Sequence, residues 1–218
     1  MKNKSYAVIG LGQFGMTVAL TLAEANCDVL AIDDKDDNVQ DIAEKVSYAV
    51  KADVRDPGIL ESLGVQNVDV AVIAVAENME ASITATMQVK ELGVPFVMAK
   101  AMNSLHGRIL EKIGADKVIY PEKQVAKWAS IRYADDRILD YMEVDASHAI
   151  FEVEIPYEWI GKTIGKLDIR KKHNINILAV KNEGGEISVA ISADTVLNDG
   201  STLLVLGDYK TIQKCFHI

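Results

Sequence analysis

The stretch Val8–Gly15, VIGLGQFG, sets Gly10, Gly12 and Gly15 in a G-x-G-x-x-G array, directly after an apolar run and at the opening of a helix-forming segment. Each glycine has its own task. Gly10 permits a tight turn, Gly12 lets the backbone approach a pyrophosphate, and Gly15 lets helix and strand close on each other. Phosphate then rests on the unpaired N–H groups that open the helix, with Gln13 and Phe14 beside it. About twenty residues on, VLAIDDKDD ends a second apolar run in Asp33 and Asp34. A carboxylate there accepts hydrogen bonds from ribose hydroxyls and repels a 2′-phosphate, which argues for a nucleotide without one.

Outward from this loop, strand and helix signals alternate. Tyr6–Ile9, Val29–Ile32, Tyr48–Val50, Val68–Ala74, Phe96–Ala99 and Val118–Ile119 read as strands; Gly15–Ala25, Asn38–Val46, Ile59–Leu63, Ala81–Leu92 and Leu105–Ile113 read as helices, with stops at Gly64, Gly93 and Gly114. The pattern predicts an α/β fold, a Rossmann-like doubly wound parallel sheet over residues 1–120. Residues 121–142, from the start of PEKQVAKWASIRYADDRILDYM, read as a long linking helix broken near Ala134–Asp136. Residues 143–218 read as a small α+β domain with a hairpin around Gly184–Gly185 and short helices at Leu167–Lys172 and near the C-terminus.

The 218-residue chain carries a net charge of −9, and its densest basic run is RKK at Arg170–Lys172, which excludes the basic face of a nucleic-acid binder. The first residues hold no secretory apolar region, and the longest apolar run, Val70–Ala76, is too short to span a bilayer, so a cytoplasmic protein is expected. Cys27 and Cys215 are far apart and suggest reduced, partly buried thiols rather than a disulfide framework or metal site.

The later strand ends add candidates. Ala52 and Asp53 follow the third strand, where an adenine edge is met by backbone and a small polar residue. AVAENMEAS follows the fourth and offers Ala76, Asn78 and Glu80; for the last two, helix capping explains the residues as well as ligand contact does. Lys100 ends the fifth strand and reads either as a contact to a terminal phosphate or as a solvated lysine. A dehydrogenase needs an acid or base near its nicotinamide. None of His106, His148, His173 and His217 stands in such a setting; His106 reads as a helix-surface residue. The pocket has no evident reaction.

With these residues in view, the chain resembles the KtrA/TrkA-type RCK (regulator of conductance of K+) subunits of bacterial Ktr and Trk potassium uptake systems. The likeness is carried by AVIGLGQFG, VLAIDDKDD, ESLGVQNVDVAVIAVAENMEAS, LEKIGADKVIYPEK and GKTIGKLDIRKKHNINILAV. It implies an RCK-N domain, linking and dimerisation helices, and an RCK-C domain. It further implies a regulatory, non-enzymatic homo-oligomer, dimers assembled into an octameric ring, docked on a membrane potassium-translocating subunit. By the same resemblance, ATP or ADP occupies the glycine-loop pocket, with Asp33 on the ribose, Ala52 and Asp53 near adenine and Lys100 near the terminal phosphate. Glu122 would help hold Mg2+ or another cation beside phosphates across the dimer interface, although a first-turn helix acid complementing the macrodipole explains Glu122 equally well.

Gln13 departs from the family pattern, which has arginine there. Charge-assisted hydrogen bonds are roughly twice as strong as neutral ones, so a weaker preference for ATP over ADP is expected, with NAD(H) open as a ligand. The resemblance also implies a cyclic di-AMP receptor at Ile164, Ile169, Arg170, Asn176 and Ile177, where Arg170 suits a phosphate by its planar fork; a solvated helix end explains the RKK run too. The alternative from another class is an NAD-dependent oxidoreductase.

Overall fold

The computed structural model describes residues 4–75 and 78–218, which fall into two compact units, residues 1–121 and 122–218. In the first unit the strands are β1 (Ser5–Ile9), β2 (Asp28–Asp33), β3 (Tyr48–Lys51), β4 (Val70–Ile73), β5 (Phe96–Lys100) and β6 (Lys117–Ile119). They form one parallel sheet in the order β3-β2-β1-β4-β5-β6. The helices between them are α1 (Gln13–Glu24), α2 (Asp36–Ile42), α3 (Ile59–Ser62), α4 (Met79–Glu91) and α5 (Ser104–Lys112).

The central strands β1, β2 and β4 are buried on both faces, as a parallel sheet with crossover helices requires, while the edge strands β3 and β6 are only partly covered. Alternation assigns the sides. Ala7, Ile9, Ile32, Ala71, Ile73, Val97 and Ala99 enter one core with Ala85, Val89 and Leu110. Val8, Val29, Ala31 and Val72 enter the other with Ala19, Val39 and Ile42. Local chemistry sets the helix ends. Asn78 accepts from Ala81 N to cap α4, and Asn103 accepts from Leu105 N and His106 N to cap α5. After α4 and α5 the chain turns at Gly93 and Gly114 with φ of 80° and 103°, where the absence of a Cβ removes the left-handed penalty.

Chain order along the sheet reverses between β1 and β4. The loops leaving those two strands diverge, and a crevice opens beyond their carboxyl ends.

The second unit opens with α6 (Pro121–Arg132), whose first residue belongs to the first unit. Its strands are β7 (Ile138–Glu143), β8 (His148–Glu154), β9 (Asn176–Lys181), β10 (Ile187–Ser188) and β11 (Thr202–Asp208), in an antiparallel sheet ordered β10-β9-β11-β8-β7. Helices α7 (Ile164–Leu167), α8 (Ile169–His173) and α9 (Tyr209–Phe216) complete it. Its core gathers Ile138, Phe151, Val153, Ile175, Leu197, Leu203, Val205 and Phe216.

The long helix expected through residue 142 ends instead at Arg132, and residues 138–143 are the edge strand β7. The reason lies in a register shift between Ile138 and Asp140 against β8. The shift breaks the alternation, so Ile138 and Tyr141 are the buried pair, three residues apart. That spacing is the signature of a helix face.

Candidate functional site

The crevice at the reversal point is a cleft of about 440 Å³. Its floor begins at the glycine loop. Gly10 has φ of 93°, and a Cβ on it would lie 2.8 Å from Val75 N; a Cβ on Gly15 would lie 1.8 Å from Gly10 O. Gly15 is therefore the packing residue, absent from the cleft wall because the loop folds over it. Gly12 differs, since a Cβ there meets no protein atom within 4 Å. The backbone at Gly12 is bare toward open space, as close approach by a pyrophosphate demands. Met16 N is the first α1 amide to bond back, to Gly12 O at 2.9 Å. The amides of Gln13, Phe14 and Gly15 thus have no carbonyl within the helix, the arrangement that receives anions.

Asp33 ties this loop to the sheet. It is 8% exposed, and its carboxylate accepts from Leu11 N at 2.5 Å, Lys35 N at 2.9 Å and Asn38 Nδ2 at 3.0 Å. A carboxylate has about four acceptor positions, so room for roughly one ribose hydroxyl remains. Asp34, exposed on the same lip, adds a second acid.

Beyond β3, Asp53 and Arg55 form a paired unit. Arg55 N and Nε donate to Asp53 Oδ1 at 2.9 Å, and Arg55 Nη2 donates to Oδ2 at 2.6 Å. Hydrogen bonds from the Arg55 side chain, then from its backbone, hold the Asp53 carboxyl below the usual carboxylate range. On the far side of the glycine loop Lys100 closes β5, its Nζ 5.7 Å from the centre of the Phe14 ring.

Gly10, Gly12, Gln13, Phe14, Asp33, Asp34, Ala52, Asp53, Asn78 and Lys100 all line this cleft. Two expected residues do not. Gly15 is under the loop, and Glu80 is exposed on the first turn of α4, off the lining. Asn78 lines the cleft, and its side-chain Oδ1 accepts from Ala81 N at 3.1 Å, which is the capping role expected of it. Ala76 lies outside the described residues. Lys35, Asn38 and Arg55 also line the cleft and were not anticipated. The available signal was the D-x-R spacing of ADVRD, an aspartate whose side chain turns back to the amide two residues on.

The surface position expected for His106 is corrected. It is fully buried, and burial pushes its pKa down. Its Nδ1 accepts from Met102 N at 3.4 Å, and its Nε2 has no hydrogen-bond partner. It does not line the cleft. Glu122 is exposed in the first turn of α6. No group of three or more His, Cys, Asp and Glu that could cage a metal occurs among the described residues.

The second unit has its own cleft, about 320 Å³, lined by Ile164, Ile169, Arg170, Ile175, Asn176, Ile177, Ile191, Ser192 and Ala193. All five residues named for the C-terminal region meet there. The left-handed Asp168 between α7 and α8 turns the chain so that Ile164 and Ile169 share a wall. Exposed Arg170 lines this cleft together with the four isoleucines Ile164, Ile169, Ile175 and Ile177 and with Ile191.

No helix among the described residues is long and apolar enough to cross a membrane. The TrkA-N domain family matches residues 6–121 and the TrkA-C domain family residues 149–216. The chain is 38% identical over 212 residues to Ktr system potassium uptake protein C of Bacillus subtilis (strain 168), covering 97% of this chain and 96% of that protein. It is 33% identical over 214 residues to Ktr system potassium uptake protein A of the same organism, covering 98% and 96%. Among solved structures, the GsuK channel bound to NAD shares the fold over 97% of this chain with a TM-score of 0.62 at 20% identity; this chain spans 38% of that one. With both domains in order along one polypeptide and relatives matched over nearly their full length, the chain belongs to the KtrA/TrkA-type RCK subunits of bacterial potassium uptake systems.

Proposed function

We propose that this protein is a non-enzymatic cytoplasmic sensor that gates a membrane potassium-translocating partner, with an adenine nucleotide in the glycine-loop cleft as its signal. The observation that carries the reading is the bare Gly12 backbone at the unpaired start of α1, flanked by Asp33 on one side and Lys100 on the other. These residues fit a nucleotide: amides for phosphates, acids for ribose, and small apolar side chains at Ala52, Val54 and Ala81 for a base. A bound nucleotide supplies the charge whose number distinguishes one signal from another. The chain's own residues orient it and exclude a 2′-phosphate through Asp33 and Asp34.

Gating requires the ligand to favour one assembly state. A dimer-built octameric ring with one such cleft per subunit offers a coupling of about 1–3 kcal/mol per site, the ordinary allosteric scale. Glu122 takes a cation role only in that assembly, since an ion there needs phosphate oxygens and a second copy to complete its ligands. The apolar trough with Arg170 suits a cyclic dinucleotide such as cyclic di-AMP as a second effector, Ile164, Ile169 and Ile177 meeting the bases and Arg170 a phosphate.

Titration calorimetry with ATP, ADP and NADH tests the first site, and potassium uptake by cells carrying the protein with its transporter tests the consequence. Binding of ATP and ADP with a modest difference between them, set by neutral Gln13, is expected. Arg170→Ala removes binding of cyclic di-AMP and leaves ATP binding intact. No binding of the three nucleotides defeats the cleft reading, and turnover of NADH with a small carbonyl substrate returns the protein to the oxidoreductases.

A further inference from the structure

Arg55 is unexplained by the phosphate and ribose contacts above. It is a cation on the wall of the cleft, yet its neighbours are acids. Its side chain is bound to Asp53, and the fields of Glu80 and Asp34 also reach it; together, led by the Asp53 hydrogen bonds, they raise its pKa. An anionic phosphate approaching Arg55 would meet these carboxylates as well as the guanidinium. The glycine-loop amides and Lys100, across the reversal point, form the better anion site.

The geometry suits a different partner. Nε and Nη2 of Arg55 both point into one carboxylate, and its backbone amide donates to the same group. Rotation of the fork is thereby fixed, while the side chain remains 46% exposed. A guanidinium pinned by its edge presents its flat face. Guanidinium faces stack on aromatic rings, and a face held in place before binding loses little freedom on contact. Phe14 and Arg55 are the large planar side chains among the described lining residues, and Phe14 lies on the α1 side beside Lys100. The β3 side, with Ala52 and Val54, has Arg55.

We propose that Arg55, clamped edge-on by Asp53, is the stacking platform for the purine base at the β3 end of the cleft. The assignment deepens the adenine-nucleotide reading and rests on it. It makes Arg55 a determinant of affinity for the base, indifferent to the number of phosphates.

Calorimetric titration of the full chain with ATP and with ADP tests this in Arg55→Ala, Arg55→Lys and Arg55→Tyr, each first matched to the parent protein by thermal unfolding without ligand. Arg55→Ala weakens ATP and ADP by the same factor, about 3- to 30-fold, the span of a partly desolvated cation–π contact. Arg55→Lys, which keeps the charge and loses the plane, weakens both similarly. Arg55→Tyr, which keeps a plane and abandons the ion pair, holds affinity within about threefold. Loss confined to ATP would assign Arg55 to phosphate; a Lys variant that binds like the parent, or a Tyr variant as weak as Ala, overturns stacking. If the parent protein binds neither nucleotide, the cleft reading itself fails, a result separate from any difference among the variants.

Discussion

Replacing Asp33 by asparagine tests whether the glycine loop is held in shape before any ligand arrives. The substitution keeps size and shape but converts one acceptor oxygen into an NH2 donor. In the parent, one oxygen serves Leu11 N, and the other serves Lys35 N and Asn38 Nδ2. The amide therefore sets a donor against a donor in either orientation. With its oxygen toward Leu11, whose side chain is buried, the NH2 faces Lys35 N and Asn38 Nδ2. Asn38 can turn its own amide to present oxygen, whereas the Lys35 backbone cannot. The net loss is one hydrogen bond to a charged group, about 2 kcal/mol. For a unit of this size that lowers Tm by about 8 °C. Asp33→Ala deprives all three donors and strands a buried amide, costing about 3–5 kcal/mol.

Differential scanning calorimetry is the suitable assay. Both tryptophans, Trp128 and Trp159, lie in the second unit, whereas calorimetry registers the unfolding of the first directly. An Asp33→Asn protein that unfolds with the parent's Tm but loses nucleotide binding would refute the reasoning, because Asp33 would then act on ligand alone.

Asp116 gives a pH-dependent counterpart. Its carboxylate accepts from Val97 N at 2.8 Å and from Lys90 Nζ at 3.0 Å, and the first of these does most to hold its pKa below the usual range. The stabilisation is present above the ordinary carboxylate pKa and disappears as pH falls through the lowered value, so the Tm gap between parent and Asp116→Asn is widest at neutral pH and closes below about pH 4. A gap unchanged at acid pH would show that the charge contributes nothing. In the second unit, Phe151 is fully buried with its ring centre 5.0 Å from that of Tyr141 and 5.5 Å from that of Tyr209. Phe151→Ala costs about 3–5 kcal/mol, read as an earlier unfolding transition in tryptophan fluorescence with nucleotide binding by the first unit retained.

The sequence by itself determined the parallel sheet, the glycine turn and most of the cleft, because these depend on short-range chemistry. Alternating Val/Ile runs define strands, glycines at set offsets define the loop, and an acid at a strand end faces whatever that loop holds. Tertiary structure decided the rest. Ile138 and Tyr141 have helical spacing, and only pairing with β8 across a register shift makes them a strand. His106 lies on a helix whose apolar face the core closes over, which no neighbour in sequence announces. Asp33 is a ligand-type residue whose oxygens are largely engaged by Leu11, Lys35 and Asn38, and Arg55 is turned edge-on by Asp53. Which side chain meets which is a long-range property: it is set when distant segments compete for the same hydrogen bonds and the same buried space.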